Sequence, residues 1–199
     1  MNTSGRIRRF EDKSPMTELA SAGQLRASFM RWALFAVPGV LLLGFLSGRA
    51  AQSGPGNPWF DALIKPSIYP PPAAFGIVWS ILYVMMGLSL ALILAARGAR
   101  GRGIAITAFV VQLLLNLAWT PVFFGAHEIS GALILIGVLD LAVLATIILF
   151  ARLRPTAAWL LAPYLAWVLF ASFLNWQFLV ANPDADGRAT SGAVTRIEF

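Results

Sequence analysis

The chain has no cysteine and a single histidine, His127, among its 199 residues. The first absence excludes disulfides, thiolate metal ligands and a cysteine nucleophile. The second excludes a histidine-rich metal site within one subunit. No Ser/His/Asp set, paired carboxylates or phosphate-cradling glycine loop is evident, so ordinary hydrolytic catalysis finds no support and no catalytic residue is assigned. Charge is scarce as well. Asp, Glu, Lys and Arg make up 12% of the residues, about half the share of an average soluble domain. Hydrophobic residues, at 58%, exceed what one water-soluble core of this length hides. They lie in long runs, which points to lipid as the solvent.

There are five such runs: Trp32–Gly48, Phe75–Ala96, Ile104–Phe124, Ser130–Phe150 and Ala157–Val180. Roughly 20 helical residues cross a hydrocarbon core of about 30 Å, and the last four runs meet that length. The first is shorter and carries Pro38, Gly39, Gly44 and Gly48. The polar stretch before it is too long for a signal peptide. Gly44 and Gly48 have G-x-x-x-G spacing, which lets another helix approach closely. The expected fold is an all-α integral membrane protein, a five-transmembrane-helix bundle over residues 32–182. A polar, disordered N-terminal tail (1–31) precedes it and a polar C-terminal tail (183–199) follows.

The formal charge of +6 sits in the gaps between apolar runs, where it reads as a topology signal and not as a nucleic-acid surface. Eleven of the 15 Lys and Arg residues fall on one side: Arg6, Arg8, Arg9, Lys13, Arg26 and Arg31 in the tail, Arg97, Arg100 and Arg102 in the second connection, and Arg152 and Arg154 in the fourth. The positive-inside rule predicts a cytoplasmic N-terminus, with the C-terminus on the opposite side. Long apolar helices fit a bacterial inner membrane better than an outer one. The first connection, Arg49–Ala74, is long and rich in Pro and Gly, while the others are short. A single long loop in a tight bundle is more often functional than accidental.

Polar groups inside the runs are few. Gln112 and Asn116 are four apart and share a helix face, with Trp119 next along it. Trp79 and Tyr83 are likewise four apart, and Trp167, Ala171 and Leu174, with Asn175 beside them, lie along one stripe. Such a set suits a pocket for a flat, mostly apolar ligand. The same residue types also gather at membrane interfaces and join helices, so spacing alone leaves both readings open. Asp140 lies mid-run, where a charge costs about 2.5–3.5 kcal/mol. It is expected to be protonated or paired, and a lone carboxylate does not make a proton relay. His127 and Glu128, in a very short connection, are expected to face water.

Three motifs carry a resemblance. They are Trp59-Phe60-x-x-Leu63-x-Lys65-Pro66 with Tyr69-Pro70-Pro71 and Phe75-Gly76-x-x-Trp79-x-x-Leu82-Tyr83-x-x-Met86-Gly87; Gln112-Leu113-x-x-Asn116-x-x-Trp119-x-x-x-Phe123-Phe124-Gly125; and Pro163-Tyr164-Leu165-Ala166-Trp167-x-x-Phe170-Ala171-x-x-Leu174-Asn175. In this order they resemble the TspO/MBR family, the translocator and tryptophan-rich sensory proteins, over roughly residues 32–182. The resemblance implies a five-helix bundle, often a homodimer, that binds tetrapyrroles such as haem and protoporphyrin beneath the first loop, with no obligatory cofactor and no metal site. It implies that Trp79, Tyr83, Asn116, Trp119, Trp167, Ala171 and Leu174 line the pocket and that Phe75 and Gly76 close it. The covering loop would include Trp59, Lys65, Pro66, Pro70 and Pro71, with Lys65 placed to attract a propionate.

Two departures narrow what is implied. Ile68 stands where the family often has a Trp linked to photochemical porphyrin breakdown, which weakens an enzymatic reading. Trp176, with no basic residue before Arg188, does not support the sterol motif of animal members. The expected function is therefore a membrane tetrapyrrole-binding receptor or sensor. The alternatives are a porphyrin or small-molecule transporter and a light-dependent porphyrin-degrading protein. Trp32, Trp159 and Trp176 are read as interface or packing residues.

Overall fold

A computed structural model describes residues 22–188. Five long helices are apolar enough to cross a membrane: α1 (Ala22–Ala50), α3 (Pro72–Ala95), α4 (Arg102–Thr120, extended by a π turn over Pro121–Gly125), α5 (Ile129–Leu153) and α6 (Pro155–Ala181). A short α2 (Pro58–Ala62) lies in the long loop, and a single 3-10 turn (Pro183–Ala185) follows α6. No strand occurs among the described residues. In lipid this is the expected outcome, because a helix satisfies its own backbone. The chain is thus a multi-pass integral membrane protein.

Prolines punctuate the chain. Pro58, Pro72 and Pro155 open helices, where a missing N–H costs nothing. Pro121 has a further effect. Without an N–H it leaves the Leu117 carbonyl unpaired, and Ser47 Oγ of α1 donates to that carbonyl at 2.7 Å. Past this point the chain switches to π geometry, with Ala126 N–H bonding Pro121 O at 2.8 Å. The apolar run over 104–124 is therefore not a single α-helix; Pro121 ends the regular ladder at Thr120. At the opposite end, Gly98 and Gly101 take positive φ in the turn between α3 and α4. Arg102 there donates to the carbonyls of Ile93 and Leu94 at the end of α3, adding to the bond that Ile93 O accepts from Ala96 N–H.

Two boundaries differ from expectation. α1 begins at Ala22, so residues 22–31, expected in a disordered tail, are helical. Ala, Gln, Leu, Met and Arg are good helix formers, and no proline interrupts them before Pro38. Hydropathy marks where lipid begins, not where the helix begins. At the other end, residues 183–188 do not trail away. They fold back on the long loop and on the start of α5. The remainder of both expected tails, 1–21 and 189–199, lies outside the described residues.

α1 packs chiefly on α3, α3 on α6, α6 on α5 and α5 on α4, while α1 and α4 touch sparsely. The α1–α3 contact depends on two glycines. A Cβ at Gly87 would come within 2.6 Å of Val37 Cα, and one at Gly44 within 2.1 Å of the Tyr83 ring. Of the expected Gly44–Gly48 pair, only Gly44 receives a neighbouring helix; Gly48 meets its own chain at Ser53. The half of the bundle away from the long loop is filled. Ile93, Ala105, Phe109, Val143, Phe150 and Ala157 are fully buried there, and Phe109 stacks on Phe150.

Candidate functional site

The half of the bundle beneath the long loop is hollow. A cavity of about 1440 Å³ lies between α1, α3, α4 and α6, with Ile136 and Leu139 of α5 contributing from below. Ligand pockets commonly occupy about 300–1,000 Å³, so this one has room for a large ring system. Trp79, Tyr83, Asn116, Trp119, Trp167, Ala171, Leu174, Phe75 and Gly76, singled out from the sequence, all lie in its wall.

Side-chain hydrogen bonds fix the wall. Tyr83 and Trp79 stack with ring centres 5.2 Å apart, and the Tyr83 hydroxyl donates to Asn116 Oδ1 at 3.1 Å. Trp119 Nε1–H donates to Asn175 Oδ1 at 3.1 Å, and Asn175 Nδ2–H donates in turn to Ile129 O at 3.0 Å. Each amide therefore joins helices and also holds an aromatic ring in place. Such bonds average about 0.6 kcal/mol in membrane proteins, so their main effect here is orientation. Two donors are left over: Trp167 Nε1 and Gln112 Nε2 are buried without a partner. Gln112, on the same face of α4 as Asn116, belongs to the solid half, where its Oε1 accepts from the Tyr164 hydroxyl at 2.9 Å. Asp140 accepts from Ser172 Oγ at 2.7 Å and does not line the cavity.

The long loop contributes in a different way from that expected. Trp59, Lys65, Pro66, Pro70 and Pro71 are not part of the cavity wall; Phe60, Tyr69 and Pro72 are. Trp59 is instead buried as a fastening. It stacks on His127 at 4.7 Å, meets Phe123 edge-on, and its Nε1–H donates to Ala185 O. His127 is consequently only half-exposed, while Glu128 faces outward as expected. Lys65 Nζ donates to the carbonyls of Phe60, Asp61 and Leu63 and lies over the Phe60 ring. Desolvation lowers the Lys65 pKa despite the opposing pull of Asp61. This ammonium caps α2, so its donors are already committed.

Further bonds close the lid. Asn182 pairs with the backbone of Ile64 through both an acceptor and a donor, at 2.7 and 3.0 Å. Asn57 Nδ2–H donates to Phe124 O. Asp186 accepts from the N–H groups of Ile129 and Ser130 at the start of α5. Burial opposes the Asp186 carboxylate, but hydrogen bonding from the Ser130 side chain, together with the Ser130 and Ile129 N–H groups, outweighs it and holds its pKa below the usual value.

Several wall residues escaped sequence reasoning. Phe123 and Phe124 are turned inward by the π segment, and Phe178 continues the α6 stripe one turn beyond Leu174. Pro38, Leu41, Phe45 and Arg49 form one face of α1. Their three-to-four spacing was visible, but aliphatic residues at that spacing serve equally well against lipid.

The sequence model of the TspO/MBR family matches residues 36–181. The chain is similar to the tryptophan-rich protein TspO of Chlorobaculum tepidum, 38% identical over 72% of this chain and 90% of that protein. It is similar to the translocator protein of Homo sapiens, 37% identical over 67% of this chain and 80% of that protein. Similarity to the tryptophan-rich sensory protein of Cereibacter sphaeroides is 36% identity over 77% and 94% respectively.

Proposed function

The chain belongs to the TspO/MBR family, and from that premise we propose that its cavity binds a tetrapyrrole, making it a membrane receptor or sensor for such ligands. The observation that carries this reading is one large cavity with Trp79, Tyr83, Trp119 and Trp167 in its wall and Asn116 and Asn175 among them. Flat macrocycles gain most from ring stacking, and a few fixed polar groups orient them. Trp167 contributes its ring to the wall, whereas its Nε1 is buried away from the open space. His127 stacks on Trp59 and lies outside the cavity wall. The wall therefore suits a macrocycle held by its faces and edges better than one held through an iron–imidazole bond. The role is one of binding and not of catalysis.

Titration with protoporphyrin, followed by tryptophan fluorescence quenching, tests the reading. Wild type should bind, and Trp167→Phe and Asn116→Ala should each weaken binding about 3–10-fold, the first by shrinking a wall ring and the second by removing a fixed polar group. Equal, weak binding by all three would remove the assignment. A homodimer, with the N-terminus cytoplasmic in a bacterial inner membrane, belongs to the same proposal. It is supported by the Lys/Arg distribution and by the exposed apolar faces of α1, α4 and α5. Cross-linking in native membranes and labelling of either terminus would check it.

A further inference from the structure

The cavity wall contains one charged side chain, Arg49. It occupies the last turn of α1, is exposed, and its guanidinium lies 5.9 Å from the centre of the Phe45 ring. No acidic partner for it occurs among the described residues, whereas Lys65 is spent on three carbonyls. Exposure across the wall is one-sided. The exposed wall residues lie on α1, on the turn after it and on the first turns of α3, including Phe45, Arg49, Pro72, Gly76 and Ser80, while those of α4 and α6 are buried or half-buried.

The cavity therefore has a mouth between α1 and α3. The close approach of these helices at Gly87 and Gly44 has ended by that level, since a Cβ at Gly48 would meet only Ser53 and one at Gly76 would meet nothing within 4 Å. Ile77 and Ile81, exposed on the outer side of α3, place the mouth against lipid. A guanidinium at such a mouth keeps its charge at the polar boundary while its stem covers apolar surface.

We propose that Arg49 anchors a ligand carboxylate at this lateral mouth, so that the cavity takes amphiphilic carboxylates from the bilayer with the apolar body leading. The inference rests on the tetrapyrrole reading for the identity of the body and adds the charged group and the direction of entry. A planar guanidinium matches a carboxylate with two parallel donors. The pairing strengthens where the cavity excludes water.

The test compares protoporphyrin, a dicarboxylate, with its neutral dimethyl ester, titrated into the full chain in zwitterionic nanodiscs and followed by tryptophan quenching. Arg49→Gln should weaken binding of the diacid about 5–10-fold and leave the ester within about twofold of wild type, which also shows that the variant is folded. Undiminished diacid binding by Arg49→Gln overturns the anchor and leaves the cavity reading intact. Equal loss of both ligands also overturns it, because the substitution would then act on the wall and not on charge. Binding of neither ligand by wild type removes the tetrapyrrole reading and the anchor with it.

Discussion

Phe109 stacking on Phe150 and Tyr83 bonding Asn116 lie in opposite halves of one bundle. Around the first pair, side chains from α3, α4, α5 and α6 meet with no solvent exposure. Around the second, equally large side chains are held back from one another, and an opening of about 1440 Å³ remains. Both halves use the same residue types. Hydrogen bonds and stacking occur in both halves; they differ in that rings of the solid half are also packed on every side, while those of the hollow half border open space. A membrane protein gains little hydrophobic driving force from helix association, so packing decides stability. It can keep one half open only if the other half supplies that packing.

The largest test of this contrast sets a cavity against a filling. Phe109→Ala should cost about 3–5 kcal/mol in denaturant unfolding, while Ala171→Trp should change stability by about 1 kcal/mol or less and weaken tetrapyrrole binding at least about tenfold. Comparable destabilisation by both would mean that the two halves are not distinct. A smaller effect is expected where α1 meets α3. Gly87→Leu brings side chain against Val37 backbone, which cannot yield, and should cost about 1–3 kcal/mol. Gly76→Ala, with open space around it, should be neutral or slightly stabilising in the same unfolding measurement.

The smallest effect concerns the lid and depends on pH. The Asp186 pKa is lower in the folded chain than in the unfolded one. Its contribution is therefore complete above the unfolded value of about 3.9 and fades as pH falls through the lower folded value. Protection of the Ile129 and Ser130 amides, taken relative to intrinsic exchange at each pH, should fall below about pH 4. Asp186→Asn should remove that pH dependence while leaving the Phe109 region protected.

The five spans were legible because lipid permits few alternatives: a long apolar run must be a helix. The stripes of α3, α4 and α6 stood out because Trp, Tyr and Asn are conspicuous against aliphatic neighbours, but spacing left a packing reading open and only the family resemblance turned them inward. The α1 wall did not stand out, since Pro38, Leu41 and Phe45 differ in no way from residues that face lipid. The lid was only partly readable. Trp59 and Lys65 drew notice as an aromatic and a cation, yet folding uses the first as a fastening and the second as a helix cap. The less conspicuous Phe60 and Tyr69 form the inner surface. The helical start at Ala22 was hidden because hydropathy does not report a helix through a polar stretch.

The bonds of Asn182, Ala185 and Asp186 to the lid and to α5 also bear on the order of biosynthesis. A chain is made from its N-terminus, so α1, the lid and α5 all emerge before the segment that fastens them. Only after α6 has crossed the bilayer can Asn182 reach Ile64, Ala185 reach Trp59 and Asp186 reach the first turn of α5. The last fastenings of the roof therefore form at the end of assembly, and a nascent chain that stalls before Asn182 holds its lid through the contacts with Phe123, Phe124 and His127.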